Sequence, residues 1–389
     1  MGTEFDAALT QARMELHIRR RVEAKTLTGA VTGVWIGGKK RCGTVIGWSD
    51  PDRGLKLRED SIFRLASMTK PITGTAVMLQ WEKDLIDLDE SVTKWLPEFR
   101  HLLVADRLGD GEILSTVPAE RPVTPRMLLT HSSGIGSGVT AGLQPDLTTP
   151  AGCGSLGEAL TRYAKAVLEF QPGTSQAYSG ILGMDLLARI VEITADMPYE
   201  EFLRKNLLRP LGMFDTGYTL TREQIGRVVA MYTADGSFTA EPMRPDCGFA
   251  DFPGGYPGGG GGLLSTLEDY GSFAAMLAGG GALDGVRILK EGTVDLMASP
   301  QLSPSFPGIG DHFNWGLSMR VCPVQCAPEQ PLTGGSFGWS GAYNTHFWVD
   351  RKKDLYAVFM ANIRNGAGAG AETAFEFERD VMAGFDECP

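Results

Sequence analysis

The sequence predicts an α/β (α+β) protein whose sheet is built from both ends of the chain. Three observations carry this. Strand patterns cluster near the two ends, at Ala30–Ile36 and Cys42–Trp48 and again at Gly316–Val321, Thr345–Val349 and Leu355–Met360. Between about Leu85 and Phe306, helical patterns alternate with Gly/Pro-rich loops. Helical periodicity also frames the chain, over residues 5–26 and Ala371–Ala383. The expected organisation is a discontinuous α/β domain, residues 1–84 and 307–389, with a mostly helical region, 85–306, inserted.

Taken in order, the first helix carries Phe5, Ala8, Leu9, Ala12 and Leu16 on one stripe. The next two strands are joined by a Gly37-Gly38-Lys39-Lys40 turn. A helix is expected next around Ser67, because Ile72, Ala76, Val77, Met78, Leu79 and Trp81 form an apolar run long enough to be buried. Pro71 requires that helix to begin at or very near Ser67. One helix follows Thr124-Pro125, another covers Gly157–Phe170, and a strong one runs from Ile181 to Thr194. Pro253 to Gly262 holds seven glycines in ten residues. Without the Lys-Ser/Thr end of a P-loop, it reads as a tight, backbone-lined loop beside a site.

Composition narrows the function. A hydrophobic share of 43% and a charged share of 21% suit a globular fold, and 389 residues allow two or three domains or one core with an insertion. A formal charge of −11 argues against a nucleic-acid partner. No apolar run reaches a membrane span, and Met1–Leu16 has no signal-like apolar segment, so no membrane and a cytoplasmic location are expected. Six cysteines do not form a disulfide framework; Cys322 and Cys326, the one close pair, read as thiols. With five histidines and no second cysteine pair, neither a metal nor a cofactor is expected.

The chemistry centres on Ser67-Met68-Thr69-Lys70. Three residues apart on a helix, the lysine amine reaches the serine hydroxyl, and a base beside a serine makes it a nucleophile. This is the Ser-x-x-Lys signature of β-lactamases and penicillin-binding proteins. A second copy, Ser91-Val92-Thr93-Lys94, follows Asp87, Asp89 and Glu90 and is cut short by Pro97, so Ser91 is expected as a cap or surface residue. Gly334-Gly335-Ser336-Phe337-Gly338 fits the Gly-x-Ser-x-Gly elbow, but a strand pattern follows Ser336 where that elbow needs a helix. His131 reads as structural, and the histidines offer no Ser-His-Asp triad.

Five stretches in order, Phe63–Pro71, Leu128–Gly134, Pro172–Ser179, Arg209–Met213 and Trp339–Gly341, make the chain resemble the serine hydrolases of the class C β-lactamase fold. The likeness is strongest to the carboxylesterases called family VIII, and it runs from about Gly29 to Asn362. It implies a β-lactamase/penicillin-binding-protein-like fold, an antiparallel sheet flanked by the terminal helices. It also implies that Ser67 is acylated, that Lys70 and Tyr178 share the acid-base work, and that the backbone N–H groups of Ser67 and Ala342 form the oxyanion hole. Trp339, Ser340 and Gly341 would bind substrate.

Two departures bear on substrate. Lactamases and peptidases carry Lys-Thr-Gly or a close variant where this chain has Trp339-Ser340-Gly341, and Tyr-x-Asn where it has Tyr178-Ser179-Gly180. Both replace groups that hold charged, peptide-like substrates, so a neutral, short-chain small-molecule ester is expected. The same fold also accommodates acyltransferases, amide or β-lactam hydrolases, D-residue peptidases and inactive ligand-binding or assembly relatives. Retention of Ser67, Lys70 and Tyr178 together argues against the last.

Overall fold

Antiparallel pairing of strands from the two ends of the chain organises the molecule. A computed structural model describes residues 5–234, 238–240, 255–309, 313–323, 331–364 and 372–385. Helix α1 (Ala7–Glu23) starts where the Asp6 side chain accepts the Leu9 N–H and carries Arg20 and Arg21 in its last turn, where the helix dipole favours positive charge. Strands β1 (Gly29–Ile36), β2 (Lys39–Asp50) and β3 (Leu55–Lys56) follow, then helix α2 (Thr69–Trp81). The middle region supplies α3 (Leu182–Ala195) and α4 (Leu267–Ala278). The chain closes with β4 (Asn314–Trp315), β5 (Arg320–Val321), β6 (Phe337–Gly341), β7 (Thr345–Asp350), β8 (Leu355–Met360) and α5 (Glu372–Met382).

The eight strands lie in the order β4-β5-β6-β7-β8-β1-β2-β3, every neighbour antiparallel. Alternation along the strands separates two apolar layers. Ala30, Val34, Leu355, Ala357 and Phe359 face Met14 and Ile18 of α1 and Phe377 and Val381 of α5. Val31, Trp35, Phe347, Tyr356 and Val358 face the other way, onto Ile72 and Val77 of α2 and Phe273 and Met276 of α4. The terminal helices thus cover one face, and α2 lies on the other. Helix α4 belongs to that second layer, although it falls inside the 85–306 region drawn from sequence.

Four sequence expectations need correction. Gly316–Val321 is not one strand. Gly316 N–H bonds Met319 C=O, Ser318 takes a positive φ of 70°, and Leu317 and Ser318 donate to Met297 and Leu129 carbonyls, so cross-contacts fold the segment into a turn between β4 and β5. The helix expected over Gly157–Phe170 stops at Tyr163, and Leu168 instead bridges Val104. Leu103–Gly109 and Glu112–Pro118 form a hairpin inside the region read as helical. Cys322 is disulfide-bonded rather than a thiol; Cys326 lies outside the described residues. No helix among the described residues is long and apolar enough to cross a membrane.

Candidate active site

Helix α2 is entered through a 3₁₀ turn, Ala66–Met68, which satisfies the constraint set by Pro71. The proline sits in the first helical turn, where its missing N–H would have had no intrahelical acceptor. Ala66 holds φ at +47°, a left-handed conformation for a residue with a side chain, costing about 1–3 kcal/mol. Sheet contacts hold the turn in place. Thr345 Oγ1 donates to the Leu65 carbonyl at 2.9 Å, and a Cβ on Gly341 would stand 2.2 Å from that same oxygen. Strand β6 can therefore lie against the backbone just before Ser67 only because residue 341 is glycine, and Ala342 follows at that point of closest approach.

Ser67 is partly exposed, and two side chains meet its hydroxyl. Lys70 Nζ donates to Oγ at 3.1 Å and Tyr178 O–H donates at 2.8 Å. Lys70 is fully buried, and its amine also donates to the carbonyls of Gly180 at 2.5 Å and Gly260 at 2.7 Å. Three oxygen partners thus surround the amine, and these bonds offset the cost of burying it. Nζ also stands 5.0 Å from the centroid of the Tyr178 ring. The indole N–H of Trp339 points at the Tyr178 oxygen from 3.4 Å.

Trp339 is buried on β6, with its ring 5.4 Å from Tyr178 and 4.7 Å from Trp315. Ser340, one residue on, faces the opposite layer, as strand alternation requires, and its hydroxyl pairs with His346 Nδ1 at 2.8 Å. Its side chain therefore points away from Ser67, and of the Trp339-Ser340-Gly341 triplet only the first and last residues share the Ser67 side of the sheet. Ser91 caps a short turn, accepting the Thr93 N–H. Ser336 is buried and leads into strand β6 rather than a helix.

The glycine run lies beside Lys70. A Cβ at Gly259 would meet the Met184 carbonyl at 2.1 Å, and one at Gly260 would meet the Ile181 Cα at 2.7 Å, so the loop fits against α3 only without side chains. Asp185 fastens it from below, accepting the Gly260 N–H at 3.2 Å and the hydroxyls of Tyr256 and Tyr163 at 2.8 and 3.2 Å. Burial pushes the Asp185 carboxyl up to about 6 against those bonds. Gly259→Ala is expected to destabilise the protein by about 1–3 kcal/mol, since a backbone carbonyl cannot move aside. A denaturant melt with an unshifted midpoint would contradict that packing. Gly180 differs: a Cβ there would meet nothing within 4 Å, so its missing side chain leaves room beside Lys70.

Sequence reasoning missed Trp315 and Asp185. Trp315 stands just before the Gly316–Val321 segment read as a strand, and Asp185 is one acid among the apolar positions of a helix. No group of three or more His, Cys, Asp or Glu among the described residues is arranged to hold a metal.

Comparison with known proteins identifies the family. The Beta-lactamase family pattern matches residues 14–378. Protein Rv1367c of Mycobacterium tuberculosis is 34% identical over 371 residues, 88% of each chain. Esterase EstB of Burkholderia gladioli is 30% identical over 381 residues, 92% of each chain. Among solved structures, EstCE1, a hydrolase with promiscuous acyltransferase activity, superposes with a TM-score of 0.79 at 22% identity, covering 97% of this chain and 99% of its own. The chain belongs to the beta-lactamase family, with the class C β-lactamase-like carboxylesterases among its serine hydrolases and acyltransferases.

Proposed function

We propose that the protein is a carboxylesterase that cleaves neutral, short-chain esters through an acyl-enzyme on Ser67. The observation that carries this is the hydroxyl of Ser67 held between Lys70 and Tyr178, with an indole at the position of the lactamase cation. Because all three Lys70 hydrogens have acceptors, the lysine is assigned as the fixed positive charge and Tyr178 as the group that moves protons. In the reacting form Tyr178 is a phenolate, faced by the Lys70 ammonium. It takes the Ser67 proton as Oγ attacks the ester carbonyl and returns it to the leaving alkoxide oxygen. The N–H groups of Ser67 and Ala342 are assigned to the oxyanion. Water then attacks the acyl-enzyme by the reverse proton route.

A panel of chromogenic esters, amides and β-lactams, with and without added alcohol, tests the reading. Turnover of short neutral esters well above amides and penicillins is expected. A panel with no ester turnover would sink it. Product ester formed with added alcohol would place the protein with the acyltransferases of its fold.

Trp339 gives a finer test. As a pocket wall it contributes buried apolar area at about 25 cal/mol per Å², felt equally in ground and transition states. Trp339→Ala is therefore expected to raise KM for neutral esters more than it lowers kcat. Trp339→Lys is expected to favour carboxylate-bearing esters, which otherwise bury an unpaired charge, yet not to create a good lactamase, because Gly180 still lacks the amide. An unchanged ratio of kcat/KM for neutral and anionic esters across all three proteins would reduce Trp339 to core packing.

A further inference from the structure

We propose that His131 is a positioning residue: it aims the Tyr178 hydroxyl at Ser67 by fixing the backbone on both sides of the tyrosine. The inference rests on the esterase reading above and adds a residue to it. Tyr178 lies on an irregular loop between two helices, so nothing in regular secondary structure sets its direction. His131 does so twice. Its carbonyl accepts the Ala177 N–H at 3.1 Å, and its ring Nδ1 accepts the Ser179 N–H at 3.2 Å. The residues before and after Tyr178 are thus tied to one amino acid. The imidazole also packs against the phenol ring itself, centroids 4.7 Å apart, and against Trp315 at 4.4 Å.

The anchor is itself rigid. His131 sits just past the helix Pro125–Leu129, its N–H on the Leu128 carbonyl, with the following N–H of Ser132 on Met127. Its φ of +56° lies in the left-handed region that a side-chain-bearing residue avoids unless held there. An Nδ1 that accepts puts the ring proton on Nε2, which is buried and has no hydrogen-bond partner among the described residues. Burial and the Lys70 charge hold this imidazole well below its ordinary value, so it stays neutral and Nδ1 stays an acceptor. A residue wanted only for filling space would need no acceptor at that ring position.

The position of the acceptor makes the test specific. Asparagine places its side-chain oxygen near Nδ1 and tolerates the left-handed backbone, whereas glutamine reaches towards Nε2. Leucine fills volume and accepts nothing. With a neutral chromogenic ester, His131→Leu is expected to lower kcat about 100-fold with KM changed only a few-fold, the cost of a misplaced catalytic group. His131→Asn should recover most of that loss and His131→Gln should not. In a Tyr178→Phe background, His131→Leu should cost less than about threefold more, because its effect runs through the tyrosine.

A folded His131→Leu with wild-type kcat overturns the inference. So does an asparagine variant as impaired as the glutamine one, or a leucine cost that persists in full without the Tyr178 hydroxyl. Should the leucine variant fail to fold, asparagine against glutamine decides. An inactive wild type would overturn the esterase reading itself, whereas an active wild type indifferent to His131 would overturn this inference alone.

Discussion

Ser67→Ala is expected to lower ester turnover by a factor on the order of 10⁵–10⁶, to the residual rate that binding and oxyanion donors supply. An alanine there removes only the Oγ atom on which Lys70 and Tyr178 converge. The fold should survive, because Ser67 is partly exposed and its turn is held by backbone and by Thr345. An active-site phosphonate should label wild type once, on the peptide carrying Ser67, and leave Ser67→Ala unlabelled. Adduct on Ser336 or Ser91, with Ser67 clean, would reassign the nucleophile. The geometry speaks against both: Ser336 is buried and precedes a strand, and Ser91 is engaged as a cap.

Lys70→Ala and Tyr178→Phe should each lower kcat by about 10³-fold or more, and the double mutant should be little worse than either. The reason is geometric. Lys70 touches Ser67, overlies the Tyr178 ring, and holds the Gly180 carbonyl two residues past that tyrosine. In the proposed mechanism, removing the lysine takes away the charge that balances the tyrosine and leaves the Gly180 and Gly260 carbonyls without that donor. Removing the hydroxyl takes away the proposed proton carrier. Independent, additive losses in a double-mutant cycle would show two separate functions instead of one unit. A Tyr178→Phe enzyme with near-normal kcat would move the proton transfer elsewhere.

Much of the site was legible because its parts announce themselves locally. Ser-x-x-Lys at the head of a buried helix, a tyrosine before a strong helix and a tryptophan opening a strand each have a pattern that one segment carries. The sheet was legible for the same reason: β8 is a continuous apolar run and falls at Leu355–Met360 as expected. What escaped depends on partners distant in sequence. Gly316–Val321 bends because carbonyls of Leu129 and Met297 draw its N–H groups away, and no periodicity records that. Asp185 looks like an exposed helix charge until Tyr163, Tyr256 and Gly260 surround it. The hairpin at 103–118 is a different kind of miss. Asp110-Gly111 is the kind of dipeptide that closes a tight hairpin, a local signal that the reading of this region as helical segments and loops left unused.

The seam between β1 and β8 sets the order in which this protein can be made. Val31 pairs with Met360 and Ile36 with Leu355, so the centre of the sheet waits for nearly the whole chain to leave the ribosome. Until then β1 has β2 for a neighbour on one side and an open edge on the other, bearing Val31, Val34 and Trp35. Such late, long-range pairing makes for slow folding and leaves an apolar edge exposed meanwhile. The ends offer a remedy for an engineer. Asp6 N–H bonds the Gly384 carbonyl at 2.9 Å, and the rings of Phe5 and Phe385 lie 4.9 Å apart. A circular permutant joining them by a short linker and opened at the exposed Asp110-Gly111 turn would synthesise β8 shortly before β1, turning the slowest contact into a local one.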